Sequence, residues 1–188
     1  MLQRLVRQIR ENLQTKDITV ATNTAQRDNI INQLGNAINI VAETERRGTF
    51  PAIALASSFL AKEKGCGRDE VVVVMPCDVY TENSYFDIIK RMAEAVEANK
   101  ADLVLMGVKP KNASDKFGYI LPEENTAAGS EVQEVELFFE KPDTETARRL
   151  LRMGACWNAG VFAFRLGYMT DIVGKYAQGE TYGDICKA

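Results

Sequence analysis

The chain has 188 residues, 46% hydrophobic and 26% charged, with a net charge of −3. That balance suits one soluble globular domain with a real core, and the absence of a long basic run or an apolar stretch of ~18 residues argues against nucleic-acid binding, a membrane-surface role and a transmembrane helix. Four cysteines without CxxC spacing and no histidine at all make a structural zinc site improbable and exclude Ser-His-Asp and Cys-His catalysis.

In chain order, Leu2, Leu5, Val6, Ile9 and Leu13 recur with a helical period over residues 1–14. Met1 thus opens an amphipathic segment, not a charged-then-apolar leader, and the expectation is a cytoplasmic protein with reduced thiols. A short strand is predicted at 18–21, a helix at 24–34 closed by Gly35, and a second strand at 38–42. A charged loop follows. Thr49 is read as the cap of a helix with Pro51 in its first turn, running to about Lys64. Val71–Met75 is a continuous apolar run, so a strand buried on both faces is expected there. Asn83 or Ser84 caps a helix to about Asn99, and Leu103–Val108 is again a continuous apolar strand. Beyond it the pattern changes. Strands at 117–121 and 132–139 flank a polar loop, Asp143 caps a helix to about Met153, and a last strand covers 160–164. Strands alternating with helices predict an α/β domain: a mostly parallel central sheet with helices on both faces and a mixed second half, spanning residues 1–188 as a single domain.

Five stretches carry candidate chemistry. Asp78 lies just past the carboxyl end of the Val71–Met75 strand, where open parallel sheets bind ligands, and a carboxylate there suits Mg²⁺ on a phosphate-bearing ligand or else caps the turn after Pro76. In FFEKPD, residues 138–143, Glu140 can accept hydroxyl hydrogen bonds and Lys141 can neutralise a phosphate. As adjacent strand residues they point to opposite faces, although a solvated pair beside a capped helix gives the same letters. In CWNAGVFAF, residues 156–164, Asn158 precedes a glycine-containing turn into a strand and offers an amide to ligand hydroxyls. Arg46 and Arg47 in ETERRGTFPAIA precede a helix amino terminus, which favours anions. Gly118 in KFGYI weakens its strand unless something approaches the backbone there.

The order of these stretches, E-T-E-R-R-G-T-F-P-A-I-A, V-V-M-P-C-D, F-G-Y-I, E-K-P-D and W-N-A-G-V-F, resembles the sugar-1-phosphate nucleotidyltransferases, above all the mannose-1-phosphate guanylyltransferases, over nearly the whole chain. The resemblance implies a Rossmann-like nucleotide-diphospho-sugar transferase fold and the joining of GTP to mannose 1-phosphate. The products are GDP-mannose and pyrophosphate, formed by Mg²⁺-assisted in-line attack on the α-phosphate. It implies Asp78 as a Mg²⁺ ligand and Glu140, Asn158 and the Gly118 backbone as sugar contacts. Lys141 meets the sugar phosphate, with Asp78 and Lys141 as the catalytic pair. Arg47, Thr49 and Pro51 line the nucleotide. Gly48 and Phe50 depart from the family's usual residues.

The family's glycine-rich loop and its preceding strand have no match before MLQRLV, and its second metal-binding aspartate falls near or past Ala188. That strand lies between those predicted at 18–21 and 71–75, so two unpaired parallel edges are expected, through which copies could associate. The expected activity of this chain alone is weak or nil. The competing readings are a non-catalytic sugar-phosphate or nucleotide-binding module and a same-fold transferase for another nucleotide and sugar 1-phosphate.

Overall fold

The structure is a computed structural model and describes residues 1–35, 38–45, 47–123 and 132–176. Arg46, Cys186 and the polar loop predicted between the strands at 117–121 and 132–139 (residues 124–131 of it) lie outside the described residues. The chain divides into two compact units, Met1–Leu103 with the segment from Ala163, and Val104–Phe162.

The first unit runs α1 (Leu2–Leu13), β1 (Thr19–Asn23), a 3-10 turn (Thr24–Gln26), α2 (Arg27–Leu34), β2 (Asn39–Glu43), α3 (Thr49–Lys62), β3 (Val71–Val74) and α4 (Asn83–Glu97). The second holds β4 (Leu103–Val108), β5 (Tyr119–Pro122), β6 (Val135–Phe139), α5 (Thr144–Arg152) and most of β7 (Cys156–Arg165). The end of β7 returns to the first unit and leads into α6 (Leu166–Tyr176).

The helical period of α1 buries Leu5, Val6 and Ile9 against its neighbours α4 and α2. Val6 joins Val20, Ile30 and Ile38 in one cluster, so α1, β1, α2 and the approach to β2 share a core. β1 and β2 pair in parallel from Thr19 opposite Asn39 to Asn23 opposite Glu43, and α3 packs on both. In the second unit β5 is antiparallel to β6 on one side and to β7 on the other, while β4 also pairs with β7. Tyr119, Leu121, Ala147, Leu150 and Ala155 form its core between β5 and α5. The α/β architecture with a mixed second half is therefore present.

Several expectations are corrected. Thr49 is not the cap of α3. Gly48 takes that place at φ 103°, a conformation L side chains rarely adopt, so the helix begins at once after it. α4 starts at Asn83 with Glu82 as its cap, and the Asn83 side chain instead accepts a hydrogen bond from Asn12 Nδ2 at 3.4 Å. Val71–Val74 is half-buried throughout, not enclosed on both faces. The reason is topological: among the described residues β3 has β7 as its one strand neighbour, and β1 has only β2. Among the described residues, both edges expected to lack a partner, one on β1 and one on β3, have none. α6 was not anticipated, although Leu166, Met169 and Val173 bury one stripe of it. Glycines at 167 and 174 blur that period, and Gly167 is required by packing, since a Cβ there would meet the Arg68 carbonyl oxygen at 3.0 Å.

Arg165 ties the first unit together at the end of β7. Its Nη1 donates to the Asp69 carbonyl at 2.7 Å, and its Nη2 donates to the Glu97 carbonyl at 3.0 Å and to Asn99 Oδ1 at 3.0 Å. The last turn of α4 and the approach to β3 are thus held by one guanidinium. Arg165→Ala should cost about 1–2 kcal/mol in chemical denaturation, discounted for its solvent exposure. A loss confined to surface-mutation scatter, within ~0.5 kcal/mol, contradicts this.

At α5, Asp143 caps as predicted: its Oδ1 accepts from the Thr146 backbone N–H at 2.8 Å. That bond, and a second from the Thr146 hydroxyl, hold the Asp143 carboxyl below the ordinary carboxylate range. A lowered folded value stabilises above the unfolded value and is lost as pH falls through the folded one. The melting-temperature advantage of the wild type over Asp143→Asn should therefore decline from about pH 5 to about pH 2. An advantage constant over that window contradicts it.

Candidate functional site

In the second unit three chain-distant residues meet on one sheet face. β5 and β7 are joined at Gly118 and Asn158, where the Asn158 N–H donates to the Gly118 carbonyl at 2.8 Å. Cross-strand pairs fix which side chains share this face. Ile120 opposes Phe138 and Cys156, so Gly118, Ile120, Phe138, Glu140, Cys156 and Asn158 lie on one side by alternation. Tyr119 opposes Phe139 and Trp157 on the other, over the core with α5.

Gly118 is buried, and a Cβ there would sit 2.8 Å from Glu140 Oε2, 3.1 Å from Phe138 Cζ and 3.5 Å from Asn158 Cβ. The glycine signal thus has a concrete cause: the chain's own carboxylate and ring approach the backbone at that point. Cys156 likewise leans on a glycine, its Cβ 3.0 Å from where a Cβ of Gly107 would be.

Glu140 keeps the face that alternation gives it, but Lys141 does not take the opposite one, because the strand ends at Phe139. Lys141 has φ 46°, a left-handed conformation uncommon for a residue with a side chain. The reversal lets its Nζ lie 3.5 Å from Glu140 Oε1. Their side chains are 57% and 64% exposed, so the pair contributes little to stability and both heads remain open to a ligand. Left-handed non-glycine residues recur where function offsets the strain. Pro142 is buried behind them, and the Asp143 cap fixes where α5 begins.

Asn158 lies on β7 itself, not before a turn into the strand, because β7 starts at Cys156. The glycine feature survives inside the strand: Gly160 has φ 70°, and its N–H donates to Asn158 Oδ1 at 3.0 Å. This orients the amide and leaves Nδ2 without a partner among the described residues. Phe138, 43% exposed beside Gly118 and Glu140, belongs to the same face. Sequence reasoning treated it only as the end of a strand, yet alternation from Glu140 places it there.

In the first unit Arg47, Thr49 and Pro51 stand together at the start of α3. Arg47 Nη2 lies 3.5 Å from Glu45 Oε2, and no side chain caps the helix. Phe50, 44% exposed, meets the Tyr176 ring edge-on at 6.2 Å between centroids. Asp78 is exposed in the turn after β3. The loop that carries it is tethered to α1, where Arg4 Nη2 and Gln8 Nε2 donate to the Thr81 carbonyl at 3.1 and 3.2 Å, and the Arg4 guanidinium lies 3.8 Å from the Tyr80 ring centre. Asp78 itself has no hydrogen-bond or ion-pair partner among the described residues. No three His, Cys, Asp or Glu side chains cluster as a metal cage among those residues either. One free carboxylate fits Mg²⁺, which is held by one or two carboxylates with substrate phosphates and water completing its shell. No helix among the described residues is long and apolar enough to cross a membrane.

A model of the nucleotidyl transferase family matches residues 1–187. A mannose-1-phosphate guanylyltransferase from Salmonella typhimurium, RfbM, is 34% identical over 195 residues, an alignment that covers 100% of this chain and 39% of that protein. A mannose-1-phosphate guanylyltransferase from Escherichia coli K12 is 34% identical over 143 residues, covering 73% of this chain and 29% of its own length. The chain thus spans well under half the length of these relatives. A solved structure described as a mannose-1-phosphate geranyltransferase from Thermus thermophilus superposes with a TM-score of 0.78 at 22% identity, over 99% of this chain and 56% of that one, and so shares its fold. On the family model and on relatives about a third identical to it, the chain belongs to the nucleotidyl transferase family.

Proposed function

We propose that the chain carries the sugar-phosphate half of a mannose-1-phosphate guanylyltransferase, the activity that joins GTP and mannose 1-phosphate into GDP-mannose and pyrophosphate. The observation that carries the reading is the cluster around Gly118. A carboxylate, an ammonium and a carboxamide converge beside an exposed phenyl ring.

Each group has a chemical part. Glu140 accepts hydrogen bonds from two sugar hydroxyls, a pairing a carboxylate makes well. The free Nδ2 of Asn158 donates to another. The Phe138 ring covers an apolar C–H face of the sugar. Lys141 brings its positive charge to the phosphate, drawn away from Glu140 when the anion arrives. Phosphoryl-type transfer needs little more from a protein than alignment and charge neutralisation, so the lack of histidine is no obstacle. On the nucleotide side, Arg47, Thr49 and Pro51 line base and ribose, and Asp78 holds Mg²⁺ on the phosphates. The ion, when bound, offsets charge that builds on the phosphate oxygens. The relatives named as guanylyltransferases support GTP and mannose 1-phosphate as the pair, and the setting proposed is the cytoplasm, where Cys66, Cys77 and Cys156 stay the free thiols seen here.

Calorimetric titration of mannose 1-phosphate, then of GTP with Mg²⁺, tests this directly. Saturable sugar-phosphate binding is expected. If glucose 1-phosphate or UTP binds more tightly, the sugar or nucleotide assignment is wrong. If mannose 1-phosphate does not bind at all, the site assignment fails.

Two variants separate the roles. Lys141→Ala should weaken mannose 1-phosphate by about tenfold or more, the loss of one charge-assisted phosphate contact, whereas Asp78→Ala should change it less than about twofold. Equal effects would contradict the division of labour. Gly118→Ala should displace the Glu140 carboxylate, which is the flexible end of a side chain and can yield. The melting temperature should then move by no more than about 2 °C while sugar-phosphate affinity falls about tenfold. A variant that binds like the wild type would show that the close approach at residue 118 serves packing alone.

A further inference from the structure

We propose a second ligand site in the first unit, a cleft between α1 and α2 that takes a small organic phosphate with an apolar body. The cleft has a volume of about 460 Å³, within the ~300–1,000 Å³ of small-molecule pockets. Its floor is apolar, built from Val6, Leu34 and Ile38, and Val6 and Ile38 belong to the core cluster, so the floor is rigid. Its rim carries Arg7 and Arg10, one turn apart on α1, with Gln3 and Gln33 beside them.

Neither guanidinium has a hydrogen-bond or ion-pair partner among the described residues, unlike Arg4, Arg47, Arg68 and Arg165. A cation near a helix carboxyl end is favoured by the dipole, which accounts for Arg10 in the last turn but not for Arg7. Two guanidinia at this spacing offer parallel N–H pairs to one tetrahedral anion. The Gln3 side chain is held by its Nε2 donation to the Gln33 carbonyl at 2.7 Å, which bridges α1 to α2 across the rim. Glu11, the one carboxylate on the rim, accepts hydrogen bonds from a hydroxyl or amino group on the ligand body.

The cleft is separate from the nucleotide region proposed above. Gln33, Leu34 and Ile38 precede β2, at the amino ends of the parallel β1 and β2, whereas Arg47, Thr49 and Pro51 follow the carboxyl end of β2. Five strand residues span ~15 Å between those ends. Around α1, Arg10 lies roughly 120° from Arg4 and 160° from Gln8, which hold the loop of Asp78, while Arg7 lies between, roughly 60° from Arg4 and 100° from Gln8.

Phenyl phosphate is the probe, titrated into the full chain and followed by ¹H–¹⁵N NMR of backbone amides and arginine Nε–H groups. Saturable shifts are expected at residues 3–11 and 33–34. Half-saturation should be about tenfold weaker in Arg7→Gln/Arg10→Gln and at least about threefold weaker for inorganic phosphate, which lacks a body for the apolar floor. Both arginines are exposed, so thermal melts of the double variant should match the wild type. Should the pair fail to fold, Arg7→Gln alone carries the test. Shifts that do not saturate, that map elsewhere, or that persist in the variant overturn the site. Equal binding of inorganic phosphate overturns the organic part of the assignment. Because the readout is local to α1 and α2, failure of the sugar-phosphate reading would leave it standing, and the reverse.

Discussion

The candidate site depends on one position having no side chain. At residue 118 the backbone of β5 is approached by a carboxylate from beyond β6, a ring from β6 and an asparagine from β7. A Cβ there would displace the Glu140 carboxylate and crowd the Phe138 ring, while the Asn158 Cβ would stay at ordinary contact distance. Gly118 lies one residue ahead of β5, and its lack of a side chain is what lets segments from residues 118, 138–140 and 158 converge. The stability of this unit is lodged elsewhere, in Tyr119, Leu121, Leu150 and their neighbours on the opposite face. Chemistry and packing are therefore divided between the two sides of the same short strand. The Tyr119 hydroxyl reinforces the division: it donates to the Ser114 carbonyl and accepts from the Ser114 N–H, which anchors the loop that delivers Gly118.

The first unit solves a different problem, that of holding loops at strand ends. Arg165 gathers Asp69, Glu97 and Asn99 at one end of β3 and α4, and Arg4 with Gln8 grips Thr81 at the other. A guanidinium is suited to both tasks because its several N–H groups can serve carbonyls of different segments at once. These are exposed or partly exposed contacts, so they set geometry more than they add stability. Arg68 with Asp171, 2.7 Å apart, extends the same pattern to α6.

The alternation of strands and helices was legible because period and composition agreed. Leu103–Val108 was read to the residue, and Asp143 was recognised as a cap from its place before a helical stretch. Boundaries slipped where backbone conformation, not side-chain chemistry, decided them. Gly48 at positive φ displaced Thr49 as a cap, and Lys141 at positive φ turned a presumed alternating pair into a facing one. Such angles leave no mark in hydrophobic pattern. Val71–Met75 reads as enclosed because five consecutive apolar residues ordinarily are, and pattern alone cannot report that a strand stands at the end of its sheet. Gly118, Glu140 and Asn158 are connected in the sequence only by the family resemblance, which implies one sugar site; the local pattern around each does not join them. Their meeting depends on β5 lying between β6 and β7, a pairing order that no local stretch encodes.

That pairing order also sets a timetable for synthesis. β5 is made first, β6 follows, and the second partner of β5, β7, emerges last. A nascent chain that has reached β6 can close only the β5–β6 hairpin, a structure marginal by itself in water. In that interval Ile120 and Phe138 stand beside an edge that β7 has yet to occupy. Non-local closure of this kind is slow and leaves apolar strand edges open to wrong partners. Of these three strands the latest made, β7, is thus both the one that completes the candidate ligand face and the one that removes its hazard.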